Sequence, residues 1–316
     1  MSAHKKHIIP FVKRLAGFVL FAAVFYTVVL PAWVFIMPVK YTPNVFYRIT
    51  SYGHTFSRLK EAEQEKNVNL LFLGSSHAYR GFDTRIFRNA GFRVFNLGSG
   101  SQTPAQTRVL IERYWENLNP DLVIWEIDPF AVSGDGVESA LDLVSNDRQD
   151  IHSLKMVFQT AHPKVWNTFT YALYRDIFEL NDTVLEAARK NEDLYISGGY
   201  VQKDLKRFRY MEHPNQEIAF NNRMMRILSR EVEKIQESGK RIILVRTPVT
   251  SAFYDSYINN AEFSRRMSDL APFIDFNGRV QLDDSLHFYD EHHLNQKGVE
   301  IFNEAFLEVL SDEPGS

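Results

Sequence analysis

Short apolar runs alternate with longer amphipathic segments through most of the chain, and this alternation limits the folds open to it. The apolar runs are predicted strands, at residues 68–73, 92–97, 121–127, 241–245 and 273–276. Each run is largely continuous in its apolar residues, without a regular polar alternation. Strands of this kind are typical of parallel sheets whose two faces are both covered by helices.

The segments between and after these runs have helical periodicity. Helices are predicted at residues 105–118 and 217–239, and Asn295 can cap a last helix over 296–310. We therefore expect an α/β domain, a three-layer sandwich with a central parallel sheet, flavodoxin-like in broad outline. In such sheets, functional sites form at the carboxyl ends of the strands. The expected inward faces of the two longer helices consist of Ile218, Met225, Leu228, Val232 and Ile235, and of Val299, Phe302, Phe306 and Leu310.

Residues 15–37 carry no charged side chain. At about 1.5 Å of rise per residue, a helix of this length spans the roughly 30 Å hydrocarbon layer of a membrane. A buried core helix is rarely apolar all round for so long, and a cleaved signal peptide has a shorter apolar region followed by small residues. We predict an uncleaved transmembrane anchor in contact with the lipid bilayer, kinked by Pro31 and with Trp33 at the interface.

The charges around this stretch predict its orientation and divide the chain. More basic residues precede the apolar stretch than follow it, so residues 1–14 should be a cytoplasmic tail. The rest would lie outside an inner (cytoplasmic) membrane, either in the periplasm, if the source is Gram-negative, or in the extracellular space. Residues 38–66 then form a juxtamembrane connector, and residues 67–312 form the main domain. The basic residues before the stretch are Lys5, Lys6, Lys13 and Arg14, and those after it are Lys40 and Arg48.

The segment at about 130–215 interrupts the strand–helix alternation. It is polar at first and then rich in aromatic residues, and we interpret it as a mostly helical insertion packed near the site. Its aromatic residues form either a satellite core for a lid or a docking surface for a membrane partner. They include Phe158, Trp166, Phe169, Tyr171, Tyr174 and Phe178.

Composition excludes several classes of function. The chain has no cysteine, which rules out thiolate catalysis, disulfides and cysteine-ligated metals. Its net charge is −3, so no basic field suggests a nucleic acid partner. No helical His-x-x-x-His pair with a third ligand is evident, so we expect no metal site and no cofactor.

A serine at the end of the first predicted strand is the candidate nucleophile. Ser76 follows the apolar run in "LLFLGSS", which places it at the carboxyl edge of the sheet. A serine hydroxyl needs a neutral imidazole to accept its proton, and that imidazole needs a carboxylate to orient it. Asp290 and His293 stand three residues apart just before the last helix, and this spacing lets one orient the other. His292 is the rival in register.

These blocks resemble the SGNH (GDSL-like) hydrolases over roughly residues 67 to 310. That family has its serine in a Gly-Asp-Ser block after the first strand, and Ser75 stands here where the family has aspartate. Its catalytic aspartate and histidine lie in an Asp-x-x-His block before the last helix, which matches Asp290 to His293. The resemblance implies Ser76 as nucleophile, His293 as base and Asp290 as its orienting carboxylate. The competing α/β-hydrolase motif Gly-x-Ser-x-Gly fails because position 78 is alanine.

The resemblance also implies an oxyanion hole, with one clear departure. The Ser76 N–H would be one donor, and the family's second block supplies a glycine N–H. Aligned from Asn96, that glycine falls on Ser101, although Gly98 or Gly100 could serve with a small shift. The family's third block supplies an asparagine after the third strand, and this chain has none there.

The stretch "GSSHAYRGFD" behind a membrane anchor is similar to SGNH-like proteins that work with membrane-bound O-acyltransferases. Examples are the alginate acetylation proteins and the D-alanyl transfer protein of teichoic acid. This similarity implies an O-acyl esterase or O-acyltransferase that forms a seryl ester and acts on an acylated glycan or polyol of the cell envelope. The alternative is a non-catalytic accessory protein that docks to a polytopic membrane-bound O-acyltransferase.

Four further residues are candidates for binding substrate at the carboxyl edge of the sheet. His77 and Arg80 follow the nucleophile, Asp128 follows the third strand, and Arg246 ends the fourth. Each has a plainer interpretation, because first-turn residues are often only solvated and Asp-Pro is a common turn. Asp83 is expected to be a local turn or cap residue.

Overall fold

The computed structural model of the 316-residue chain describes residues 3–45, 47–205, 208 and 210–312. The first two residues of the predicted cytoplasmic tail therefore lie outside the described residues. A five-stranded sheet forms the centre of the main domain, with all neighbouring strands parallel and the order β2-β1-β3-β7-β8. Its strands are β1 (Leu70–Leu73), β2 (Val94–Asn96), β3 (Leu122–Glu126), β7 (Arg241–Arg246) and β8 (Phe273–Asp275).

Helices cover both faces of this sheet, which confirms the three-layer α/β sandwich. Side chains of β3 alternate between the two layers: Val123 and Trp125 pack with one group of helices, and Leu122 and Ile124 with the other. The first group is α2 (Thr55–Ala62), α5 (Pro104–Leu118), α7 (Val137–Asn146), α8 (Ile151–Thr160), α9 (Pro163–Ile177), α10 (Asn222–Glu237) and α12 (Asn260–Ser268). The second is α3 (Ser76–Gly81), α4 (Thr84–Asn89) and α14 (Gln296–Asp312).

The predicted helices and strands are present with slightly different limits. The last helix begins at Gln296, and Asn295 caps it by accepting a hydrogen bond from the Gly298 N–H at 3.1 Å. The predicted helix at 217–239 begins only at Asn222, because the Asn221 side chain accepts bonds from the Arg223 and Met224 N–H groups. Shorter helices are α6 (Pro129–Ser133), α11 (Ser251–Ser256) and α13 (Asp284–His287).

The insertion is helical in its first half only. Helices α6 to α9 are followed by a three-stranded antiparallel sheet that the sequence interpretation missed. Its strands are β4 (Arg189–Lys190), β5 (Asp193–Ile196) and β6 (Tyr200–Lys203).

An N-terminal helix, α1 (Ala3–Ile36), precedes the domain. Its segment Ile8–Ile36 is long and apolar enough to cross a membrane, by length and composition. The C-terminal half of α1 packs against α9, and the Tyr26 hydroxyl donates a hydrogen bond to Asn167. The connector then forms two short 3₁₀ turns, Val39–Tyr41 and Pro43–Val45, of which the second packs against α9.

Candidate active site

The turn after β1 places Ser76 at the carboxyl edge of the sheet. Gly74 adopts a φ of +138°, and a Cβ there would lie 2.7 Å from the Glu126 carbonyl oxygen. Only glycine allows this approach of β1 to the end of β3. Ser75 then caps α3 by accepting a hydrogen bond from the His77 N–H, and Ser76 is the first residue of the helix.

Ser76, His293 and Asp290 form a continuous chain of hydrogen bonds. The Ser76 Oγ lies 2.8 Å from the His293 Nε2. The His293 Nδ1 lies 2.9 Å from one carboxylate oxygen of Asp290 and 3.1 Å from the other. The Asp290 carboxylate also accepts a bond from the His293 backbone N–H at 2.7 Å, which fixes it at the start of the loop before α14. The structure thus brings together the three residues that the spacing predicted.

The protonation states of this chain suit proton transfer from serine. Burial lowers the pKa of His293 to about 3, helped by the neighbouring imidazoles of His292 and His77 and opposed by Asp290. Burial alone would raise the pKa of Asp290, but its bond to His293 and its electrostatic interactions with His293 and His292 hold that pKa well below its ordinary value. At neutral pH, His293 is therefore neutral and Asp290 is ionised, so Nδ1–H faces the carboxylate and Nε2 can accept the serine proton.

Two residues that line the cavities at Ser76 have backbone N–H groups available as donors. Among the described residues, the N–H groups of Ser76 and Ser101 have no hydrogen-bond partner. Ser101 has a φ of +49°, a conformation that glycine adopts most readily, and it lines both cavities that reach Ser76. The predicted roles of Gly98 and Gly100 need correction. The Gly98 N–H donates to Asn96 Oδ1 at 3.0 Å, and the Gly100 N–H donates to Asp142 at 3.3 Å.

A second charged group lies directly beside the first. The His77 Nδ1 is 2.7 Å from Asp128 Oδ2, and the His77 Nε2 is 3.2 Å from the His292 Nδ1. The rings of His77 and His293 stack with centroids 4.9 Å apart. Burial would lower the pKa of His77, but the bond and charge of Asp128, with Glu126, raise it to about 9. An imidazolium is therefore buried next to the neutral imidazole of His293.

Glu126 completes this charged group, and the sequence interpretation missed it. Its carboxylate is fully buried and accepts hydrogen bonds from the Ser75 N–H and Ser75 Oγ, both at 2.9 Å. Burial and the adjacent Asp128 raise the pKa of Glu126 to about 7. The signal was a lone acidic residue inside an apolar strand, since charged residues are rarely buried there without a partner.

Two cavities meet at Ser76 and Ser101. The larger, of about 650 Å³, is lined by carboxylates, basic groups and tyrosines, among them Asp142, Lys190 and Tyr289. The smaller, of about 340 Å³, contains Phe130 and Ala131 together with His77 and Asp128. The Ser76 hydroxyl, the candidate nucleophile, can thus be reached from two cavities.

The other predicted substrate contacts are placed differently. Arg80 lines the larger cavity, and its guanidinium binds both oxygens of Asp193 at 3.0 and 2.9 Å. Asp83 is a cap, as expected, because its side chain accepts from the Arg85 N–H. Arg246 is only 2% exposed, donates to Asn260 at 2.8 Å and lines neither cavity. This placement argues against the predicted contact of Arg246 with substrate.

Three imidazoles are close enough to share a metal ion. Ring nitrogens of His77, His292 and His293 lie within 4.8 Å of one another. Both ring nitrogens of His293 are already bonded, to Ser76 and to Asp290. A metal ion there would replace the serine–histidine bond, and the hydrogen-bonded chain described above needs none.

The sequence matches no family model and no curated protein. The fold is similar to three solved structures at low identity. A protein designated an acylhydrolase from Bacteroides fragilis is 14% identical (TM-score 0.38, covering 80% of this chain and 95% of that one). A protein designated a platelet activating factor from Streptococcus pneumonia is 11% identical (TM-score 0.42, 80% and 92%). A GDSL-like lipase from Bacteroides thetaiotaomicron is 11% identical (TM-score 0.40, 82% and 98%). Likenesses this distant assign neither a family nor an activity, and both depend on the geometry of the site.

Proposed function

We propose that this chain is a membrane-anchored serine enzyme of the SGNH type that transfers or hydrolyses an O-acyl ester. The observation that carries the proposal is the hydrogen-bonded chain from Ser76 through His293 to Asp290. The three residues come from opposite ends of the domain, and none of these bonds is needed to complete a helix or strand.

In the proposed reaction, the Ser76 Oγ attacks the acyl carbonyl while His293 Nε2 takes the hydroxyl proton. Asp290 holds His293 in the required tautomer and stabilises the imidazolium that forms. The N–H groups of Ser76 and Ser101 bind the oxyanion of the tetrahedral intermediate. The donor alcohol leaves with the proton from His293, and a seryl ester remains. An acceptor hydroxyl, deprotonated by His293, then attacks the ester, and Ser76 regains its proton.

The two cavities support transfer to a polyhydroxylated acceptor. The larger cavity presents hydrogen-bonding groups such as Glu138, Asp142 and Lys190 next to tyrosine rings, a combination that suits a glycan or polyol. The smaller cavity can hold the acyl group beside Phe130. Separate cavities on either side of one nucleophile would let donor and acceptor occupy the site in turn. We propose a cell-envelope glycan or polyol as the substrate class and a polytopic membrane-bound O-acyltransferase as the partner, on the outer face of the cytoplasmic membrane.

Covalent labelling tests the proposed nucleophile. The full chain in mild detergent is incubated with a fluorophosphonate probe, alongside Ser76→Ala and the exposed-surface control Ser268→Ala. We expect the wild type and the control to be labelled and Ser76→Ala to be unlabelled. All three proteins should have the same thermal unfolding temperature. If the wild type resists a probe that labels a known serine esterase, the accessory-protein alternative is favoured.

Product analysis separates transfer from hydrolysis. A chromogenic acyl ester is supplied as donor with increasing concentrations of a glycan acceptor. Transfer predicts that the acylated glycan forms at the expense of free acid. If saturating glycan leaves all of the acyl group on water, the transferase part of the proposal is wrong and the esterase part stands.

A further inference from the structure

The loop between α8 and α9 carries apolar residues to the surface of the domain. We call residues 158–166 the hairpin tip. Its Phe158 is 63% exposed, although it packs edge-on against Trp166 with ring centroids 4.7 Å apart. At the other end of α9, Ile177 is 66% exposed and Phe178 is 58% exposed. These exposed side chains lie at the two ends of α9, and at the tip the apolar surface is the exposed Phe158 ring with the half-buried Trp166 beside it.

The hairpin tip lies beside the middle of α1. Asn167, next to the tip, accepts the hydrogen bond from Tyr26. Further along both helices, the Arg48 guanidinium lies 5.4 Å from the Tyr171 ring and donates to the Val34 carbonyl at 3.4 Å. Helix α9 therefore runs alongside α1 in the same direction, and its first turn is the part nearest the N-terminal end of α1.

This arrangement places the hairpin tip at membrane depth. Tyr26 lies about 12 Å from Val34 along the helix axis, at 1.5 Å per residue. Because Trp33 is predicted to lie at the interface, Tyr26 and the tip beside it would lie about 10 Å below that level. Interfacial segments bury their apolar face to about 5–10 Å. The anchor and the tip can thus enter the same leaflet together.

Basic residues surround the tip. The Arg108 side chain donates to Gln159 Oε1 at 2.6 Å, and Arg223 donates to the Gln159 carbonyl at 2.6 Å. Arg223 has no carboxylate partner among the described residues, and the nearest acid to Arg108 is Glu112 at 4.0 Å. Both guanidinium groups thus bind Gln159, Arg108 at its side chain and Arg223 at its backbone carbonyl. Phosphates of lipid headgroups have the opposite charge and suit this pair.

We propose that the hairpin tip is a lipid-binding surface, with Phe158 and Trp166 in the outer leaflet and Arg108 and Arg223 on lipid phosphates. The proposal rests on the anchor included in the proposed function. It adds a second, independent membrane contact that holds the domain in one orientation on the bilayer.

The absence of cysteine makes a direct depth measurement possible. Single variants Phe158→Cys, Val19→Cys and Glu237→Cys carry an environment-sensitive fluorophore on the full chain in lipid nanodiscs. Glu237 is the matched control, because it lies on α10 about 21 Å beyond Arg223. At position 158 we expect a blue shift of the fluorophore and quenching by lipids that carry a spin label near the headgroup. At position 19 we expect quenching by lipids that carry the label deep in the acyl chain, and at position 237 neither effect.

The charge requirement is tested with Arg108→Gln and Arg223→Gln together in the Phe158→Cys background. With anionic lipid, loss of both charges should lower the ratio of inserted to exposed position 158 by about thirtyfold. The surface control Arg265→Gln should leave this ratio unchanged. Equal thermal unfolding shows that the domain is intact.

The outcomes separate the two membrane contacts. Quenching at 19 without quenching at 158 overturns the lipid-binding surface and leaves the anchor in place. Quenching at neither position overturns the anchor as well. If position 158 is shielded in native membranes but exposed in nanodiscs, a membrane protein covers the tip, and the lipid proposal is wrong.

Discussion

Replacing Asp128 with asparagine tests whether His77 carries a positive charge beside the candidate nucleophile. The change keeps the shape of the side chain but removes the carboxylate that lies 2.7 Å from the His77 Nδ1. Burial, already the largest single influence on the pKa of His77, is then opposed only by the charges of Glu126 and Asp290, so the pKa should fall well below its value in the wild type. At neutral pH, His77 should change from charged to neutral.

The expected effect on stability follows from the raised pKa of His77. In the folded wild type this pKa is about 9, against an ordinary value of 6.5. The resulting stability is fully present below pH 6.5 and is lost as the pH rises through 9. Between pH 7.5 and 9.5, the wild type should lose about 2 kcal/mol of unfolding free energy, because the slope is near its maximum of about 1.4 kcal/mol per pH unit below pH 9 and falls off above it. Glu126, with a pKa of about 7, is largely ionised throughout this window.

Guanidinium unfolding of the full chain in detergent, followed by tryptophan fluorescence at several pH values, measures this slope. We expect Asp128→Asn to be nearly flat between pH 7.5 and 9.5, whereas the exposed-residue control Asp269→Asn should retain the wild-type slope. A slope in Asp128→Asn equal to that of the wild type would show that the His77–Asp128 pair is not what titrates.

Three further changes test other parts of the site. Asp290→Asn should lower kcat by about 10⁴-fold with little change in KM, because His293 is no longer held in the tautomer that accepts the serine proton. A matching fall in the temperature of thermal unfolding would instead show that the variant has lost its fold. Gly98→Ala should cost about 1–3 kcal/mol and slow labelling of Ser76, because its Cβ would lie 2.9 Å from the Ser75 carbonyl and displace α3. Gly100→Ala, with 3.5 Å to the nearest atom, is its control. Asp193→Asn should raise the KM for the acceptor without slowing fluorophosphonate labelling, because Arg80 in the larger cavity is then no longer held in place by Asp193. An unchanged KM for the acceptor would show that Arg80 does not bind it.

The strand positions and the spacing of Asp290 and His293 were predictable because they depend on local pattern. Continuous apolar runs identify strands of a parallel sheet, and the carboxyl ends of such strands share one edge. The sequence also contained the signal for the missed antiparallel sheet. Gly198 and Gly199 have φ values of +88° and +93° between two short runs, which is a hairpin pattern.

Side-chain direction and pairing were harder to predict. Arg246 stands at a strand end, but successive side chains point to opposite faces of a sheet. Its guanidinium lies 5.2 Å from the Phe263 ring, in the layer of α12, and not in the cleft. His77 and Asp128 were separate candidates for binding substrate; they bind one another where two parallel strands end, and both line the smaller cavity. No local pattern shows which polar residues at a shared edge will pair.

The connector does more than join the proposed anchor to the domain. Tyr47, Ser51 and Gly53 line the larger cavity together with Ser76, and the Tyr47 hydroxyl donates to Glu138 at 3.0 Å. A flexible linker would let the cavity sample many heights above the bilayer. With α1 in the membrane as proposed, the contacts of the connector and of α1 with α9 would remove that freedom and hold the cavity at one height. Tethering raises effective concentration only where the geometry lets both sites meet, so the proposed acyl donor would have to open at that height to reach Ser76.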